Sequence, residues 1–105
     1  MTFLAGAPLP RQGAAAALAH MRGMTDTNVV LYQAEWCPYC ARVRAKMTDM
    51  LLSYKVVNVP HDHGKRTVVQ EVSGQTGIPT MVDGDVTIAD DDEAIIKYLE
   101  KKYAS

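Results

Sequence analysis

"NVVLYQAEWCPYCARV", residues 28–43, joins a run of β-branched and apolar residues to two cysteines three positions apart. Asn28 to Gln33 has the composition of a strand buried in a parallel sheet. Pro38 stands where the first turn of a helix tolerates proline. From there Cys40, Val43, Met47, Met50 and Leu51 recur at helical spacing and give the segment through Ser53 one apolar face. A strand therefore runs directly into a helix, and the cysteines sit at the junction.

Working outward, "YKVVNVP" (54–60) reads as a second strand ended by Pro60, and "HDHG" (61–64) as the loop after it. Strand, helix and strand within about 30 residues form a βαβ unit with parallel strands and a right-handed crossover. Lys65 to Ser73 carries Val68, Val69 and Val72 on a helical face, and Gly74 supplies the stop. "PTMV" (79–82) and "VTIA" (86–89), joined by Asp83-Gly84-Asp85, make a hairpin. Asp91 to Tyr103 has Ile95, Tyr98, Leu99 and Lys102 at helical spacing, acids in its first turn and lysines in its last, as the helix dipole favours. The order is β-α-β-α-β-β-α, an α/β arrangement.

Composition narrows the function. A chain of 105 residues, 48% hydrophobic, supports one core. Eleven Lys and Arg against 12 Asp and Glu give a net charge of -1, which offers nothing to a phosphate backbone. No apolar run reaches the roughly 20 residues of a membrane span. Two cysteines are too few for a disulfide-built secreted scaffold, so a reducing cytoplasm is the expected compartment. Residues 1–24, rich in Ala, Gly and Pro, carry no strand pattern and are expected to be a flexible or weakly helical extension; residues 25–105 are expected to form the domain.

A Cys37–Cys40 disulfide would close so short a loop that it adds little stability. Position points to chemistry instead. At a helix start the first N–H groups lack partners and the dipole end is positive, so an anionic sulfur at Cys37 is stabilised. Cys37 is thus the attacking sulfur, and Cys40, one turn in and on the apolar face, the resolving one. Metal is the rival, because parallel strands bring His61 and His63 to the same end of the sheet as Cys37, and a Cys-Cys-His-His set suits zinc. His-x-His departs from the usual zinc-finger spacing, and the bland reading of both histidines is that of exposed loop residues.

With these residues in place, the sequence from about Val29 to Tyr103 resembles the glutaredoxin family, dithiol Cys-Pro-Tyr-Cys type, on Cys37-Pro38-Tyr39-Cys40, Gly77-Ile78-Pro79 and "IADDDEAI" (88–95). The resemblance implies a thioredoxin-like fold with a four-stranded mixed sheet flanked by helices. It also implies thiol–disulfide oxidoreductase activity on protein disulfides or glutathione mixed disulfides, with glutathione as reductant and no tightly bound cofactor. On the same ground Pro79 is expected to be cis, Ile78 to present its backbone to substrate, and Tyr39 and Trp36 to shape the rim. Asp92, Asp91 and Arg66 are expected to hold glutathione; helix capping explains the two acids, and an exposed helix charge explains the arginine, without any ligand. Two features depart from the family. Ala34 stands where many members have a lysine, next to Glu35, and Ala89-Asp90 replaces a glycine pair, removing the close approach that glycine permits. These departures motivate a second expectation, a redoxin reduced by thioredoxin reductase. A zinc site, or a dimer bridging an iron–sulfur cluster through Cys37, is a third. The fold also occurs as the N-terminal domain of glutathione transferases, whose second, all-helical domain is not expected here. A monomer is the simplest expectation.

Overall fold

The computed structural model describes residues 23–104, so the extension expected over residues 1–24 lies, but for Gly23 and Met24, outside the described residues. Its elements are β1 (Thr25–Gln33), α1 (Pro38–Asp49), β2 (Leu52–Asn58), a 3-10 turn (His63–Lys65), α2 (Thr67–Ser73), β3 (Thr80–Asp83), β4 (Val86–Ala89) and α3 (Asp92–Tyr103). The sheet order is β2-β1-β3-β4. Strands β1 and β2 are parallel, and the β1–β3 and β3–β4 pairs are antiparallel. This mixed sheet flanked by helices is the thioredoxin-like fold.

Two packed clusters hold it. Val29 and Leu31 of β1, two apart and so on one face, meet Val43 and Met47 of α1, Leu52, Met81, and Ile95 and Leu99 of α3. The second cluster joins Ala34, Cys37, Cys40, Val59, Val69 and Ile78, with Tyr32 packed against it. The cysteines therefore belong to the smaller core, at the end of β1. The hairpin and the Gly74 stop are as expected: Gly74 adopts φ 77°, the left-handed C-cap that glycine accepts without penalty.

Three expectations are corrected. The first helix does not run through Ser53 with Leu51 on its apolar face. It ends at Asp49, and Leu51, at φ 56° and 53% exposed, reverses the chain so that Leu52 enters the core at the start of β2. The second helix starts at Thr67, and of its three valines only Val69 is buried, because so short a helix presents little more than one position to the sheet. Arg66 is not an exposed helix charge but is buried in the loop ahead of that helix.

Candidate active site

Cys37 follows β1 and is the N-cap of α1, with extended backbone (φ −81°, ψ 118°). Its Sγ accepts the Cys40 backbone N–H at 3.5 Å. One orphan donor of the first turn therefore faces the sulfur, at the helix end where a negative charge is favoured. Cys37 is 6% exposed and Cys40 is fully enclosed. Burial pushes the Cys40 thiol up to about 12; its hydrogen bond to Cys37 and the charge of that sulfur act in the same direction, while a backbone hydrogen bond with Ala34 and the Arg44 guanidinium oppose them. One cysteine thus keeps a small exposure and the other is fully enclosed and held as a thiol.

The loop ahead of Cys37 is braced from below. Ala34 O accepts the Cys37 N–H at 3.2 Å. Arg44, two turns into α1, donates to Ala34 O at 3.4 Å and to Glu35 O at 3.5 Å, hydrogen-bonds the Gln33 side-chain oxygen, and pairs with the Glu35 carboxylate at 3.6 Å. Gln33 is fully buried and donates to Asn58 Oδ1 at 2.7 Å, tying the ends of the two parallel strands together. Arg44 and Gln33 escaped the sequence reading because their roles depend on the return of β2 beside β1.

On one side of Cys37, Trp36 stacks on His61, with centroids 4.1 Å apart and planes 8° from parallel. His61 thus contributes to the rim, a role the sequence did not announce. Among the described residues no three His, Cys, Asp or Glu side chains come together as a metal site.

On the other side lies a cleft of about 230 Å³ lined by Tyr39, Ile78, Pro79, Asp90 and Asp92. The Ile78–Pro79 bond is cis, and Ile78 packs in the cluster that holds Cys37. Asp92, at the start of α3, forms an ion pair with Arg42 on the exposed face of α1. Asp91 is the N-cap of α3, its carboxylate accepting the Ala94 N–H at 3.0 Å, so capping accounts for it and it does not line the cleft. Asp90 sits at φ 54° and its N–H donates to Pro79 O at 2.9 Å. Its carboxylate lies so close to Gly77 that a Cβ there would stand 2.5 and 2.7 Å from the two oxygens.

Arg66 stands apart from this cleft. Its guanidinium donates to the carbonyls of Pro60 (2.7 Å), Thr76 (3.0 Å) and His61 (3.1 Å), which pins the loop after β2 to the segment before the cis proline. With these donors engaged and 3% of the residue exposed, its observed role is structural.

The chain matches the glutaredoxin family over residues 29–88, more than half of its length. It belongs to the glutaredoxin family. Among curated relatives, an uncharacterized glutaredoxin-like 8.6 kDa protein in the rubredoxin operon of Clostridium pasteurianum is 26% identical over 74 residues, 70% of this chain and 99% of that one. Glutaredoxin 3 of Escherichia coli K12 is 33% identical over 52 residues, covering 50% of this chain and 63% of its own. Among solved structures, glutathione transferase F7 of Populus trichocarpa superposes with a TM-score of 0.63 at 22% identity, covering 71% of this chain and 36% of the transferase. Glutathione transferase E6 of Drosophila melanogaster gives 0.62 at 29% identity, covering 74% and 36%. The chain thus spans about a third of the transferases it resembles, and that likeness is one of fold.

Proposed function

We propose that this protein is a glutathione-linked thiol–disulfide oxidoreductase that acts through Cys37 and Cys40, as a monomer in a reducing cytoplasm. The observation that carries the reading is the division of the two sulfurs, one capping α1 in a residue that is still slightly exposed and one fully enclosed and held as a thiol. The Cys37 thiolate attacks one sulfur of a disulfide. A bond forms to Cys37 while the substrate S–S bond breaks, and the leaving thiolate takes up a proton. Once Cys37 is in the mixed disulfide its charge and its acceptor role are gone, which removes two of the causes that hold Cys40 protonated. Cys40 then loses its proton and attacks Cys37 Sγ, releasing the second thiol and leaving an intramolecular disulfide. Two molecules of glutathione restore the dithiol, or one glutathione attacks the mixed disulfide directly.

A second reading keeps the chemistry and takes the electrons from thioredoxin reductase. What favours it is that no basic side chain lines the cleft, that Ala34 is buried and apolar, and that Arg66, Arg44 and Arg42 are already engaged by carbonyls or carboxylates. Reduction of the oxidised protein by glutathione with glutathione reductase, set against reduction by thioredoxin reductase, separates the two. In either case Cys37→Ser is expected to abolish turnover, and Cys40→Ser to keep activity on glutathione mixed disulfides while losing it on protein disulfides. Equal activity of the two variants would overturn the assignment of roles.

A further inference from the structure

We infer that Asp90 makes the cleft beside Cys37 selective for disulfides that carry a positive charge next to the reacting sulfur. The inference rests on the oxidoreductase reading above and is independent of the reductant. Two of the five residues lining the cleft are acidic and none is basic. They are not equivalent. Asp92 is matched by Arg42, whereas Asp90 forms no ion pair among the described residues.

The backbone that carries the Asp90 charge is fixed. Its backbone occupies the left-handed region, its N–H is bonded to Pro79 O, and its carboxylate rests against Gly77. Asp is among the few side chains that tolerate such a φ. A carboxylate is thereby presented at the wall that Asp90 shares with Ile78 and Pro79. Across the cysteine, the nearby cation Arg44 is already committed to Glu35, Gln33 and two carbonyls. An anionic disulfide approaching the Cys37 thiolate meets a second, unscreened negative charge, while a cationic one is attracted and positioned by it.

The reaction remains the balanced exchange described above: the protein dithiol gives two electrons to R–S–S–R, which leaves as two R–SH, and a Cys37–Cys40 disulfide forms. It can therefore be followed in a single turnover, with no reductant present, through the fluorescence of Trp36, the one tryptophan of the chain. The fully reduced protein is mixed with cystamine (cationic), 3,3′-dithiodipropionate (anionic) or 2-hydroxyethyl disulfide (neutral). Each rate is divided by that of dithiothreitol, an uncharged dithiol, to remove the intrinsic reactivity of the disulfide.

The normalised preference for cystamine over dithiodipropionate is expected to be about tenfold at low ionic strength and to shrink towards parity at 1 M salt, where the Debye length is about 3 Å. Asp90→Asn, which keeps the shape and tolerates the φ, should lower the ratio several-fold, and Asp90→Lys should invert it. The salt dependence of the unmutated protein tests the charge effect even if a variant misfolds. A cystine peptide flanked by lysines, run beside cystamine, tells the source: preference for both points to protein cysteines next to Lys or Arg, and for cystamine alone to small aminothiols. If the neutral disulfide is reduced with no charge preference, the charge inference falls and the oxidoreductase reading stands. If no disulfide oxidises the protein, both fall.

Discussion

Gly77→Ala places a methyl group against Asp90 and tests whether the cleft wall is built as described. Gly77 has no left-handed φ of its own, so alanine is not strained there by its backbone. The cost is collision: the new Cβ would lie 2.5 and 2.7 Å from the Asp90 oxygens, well inside contact distance. All the obstructing atoms belong to the Asp90 side chain, so relief comes from rotating that carboxylate away while its N–H stays bonded to Pro79 O. Overpacking costs about 1–3 kcal/mol, and because a side-chain end can yield, this case belongs at the lower bound, about 1 kcal/mol. In the Asp90→Gly background the obstructing carboxylate is absent, and Gly77→Ala should then be neutral or stabilising by about 0.4–1 kcal/mol, because alanine narrows the unfolded ensemble. The two changes should couple by about 1–2 kcal/mol in a double-mutant cycle. Urea denaturation of the four proteins, with slopes checked for constancy, measures it. Additivity within about 0.5 kcal/mol would refute the reasoning, since it would mean that Gly77 and Asp90 are not in contact.

Asp83 offers a pH test: although burial acts to raise its pKa, hydrogen bonds from Tyr103 (2.7 Å) and Tyr98 (2.8 Å), with one from Lys102, hold it below the usual carboxylate range. A depressed folded pKa contributes stability that is complete above the unfolded value of about 3.9 and is lost as pH falls through the folded one, so Asp83→Asn should cost about 2 kcal/mol at pH 7, from weakening two phenol–carboxylate bonds, and flatten acid unfolding below pH 4; an unchanged acid limb in melts from pH 2 to 7 would contradict this. Arg66→Met should destabilise by about 3 kcal/mol, because it strips donors from three carbonyls; a thermal melt shifted by less than a few degrees would show that water replaces the guanidinium at no cost.

Local chemistry explains which features were legible in advance. Cys37 and Cys40 announce themselves because strand, proline and helix follow one another along the chain, and the Asp-Gly turn and the Asp91 cap depend only on near neighbours. Leu51 reads as helical because leucine favours helices; only the need of Leu52 for the core makes it a break. Arg66, Arg44 and Asp90 take their roles from partners met through tertiary contact. The carbonyls around Arg66 carry no sequence signature, and neither does the space beside Gly77. The resemblance located the cleft at Pro79 and Asp92, but the departure at Asp90 became interpretable only when its neighbours were known.

The position of β1, paired on both sides while β2 and β4 are edges, has a bearing on how the site breathes. Amide hydrogens of a central strand exchange through openings that approach global unfolding in cost, whereas edge strands and short helices open more cheaply. Cys37 hangs four residues beyond the end of β1 and is anchored there by Ala34 and Arg44. The opposite wall is mixed: Ile78 and Pro79 lead into the inner strand β3, whereas Asp90 and Asp92 follow β4, an edge strand of four residues. The reacting sulfur is thus moored to an inner strand, and of the surface that receives the incoming disulfide only the acidic half hangs from an edge.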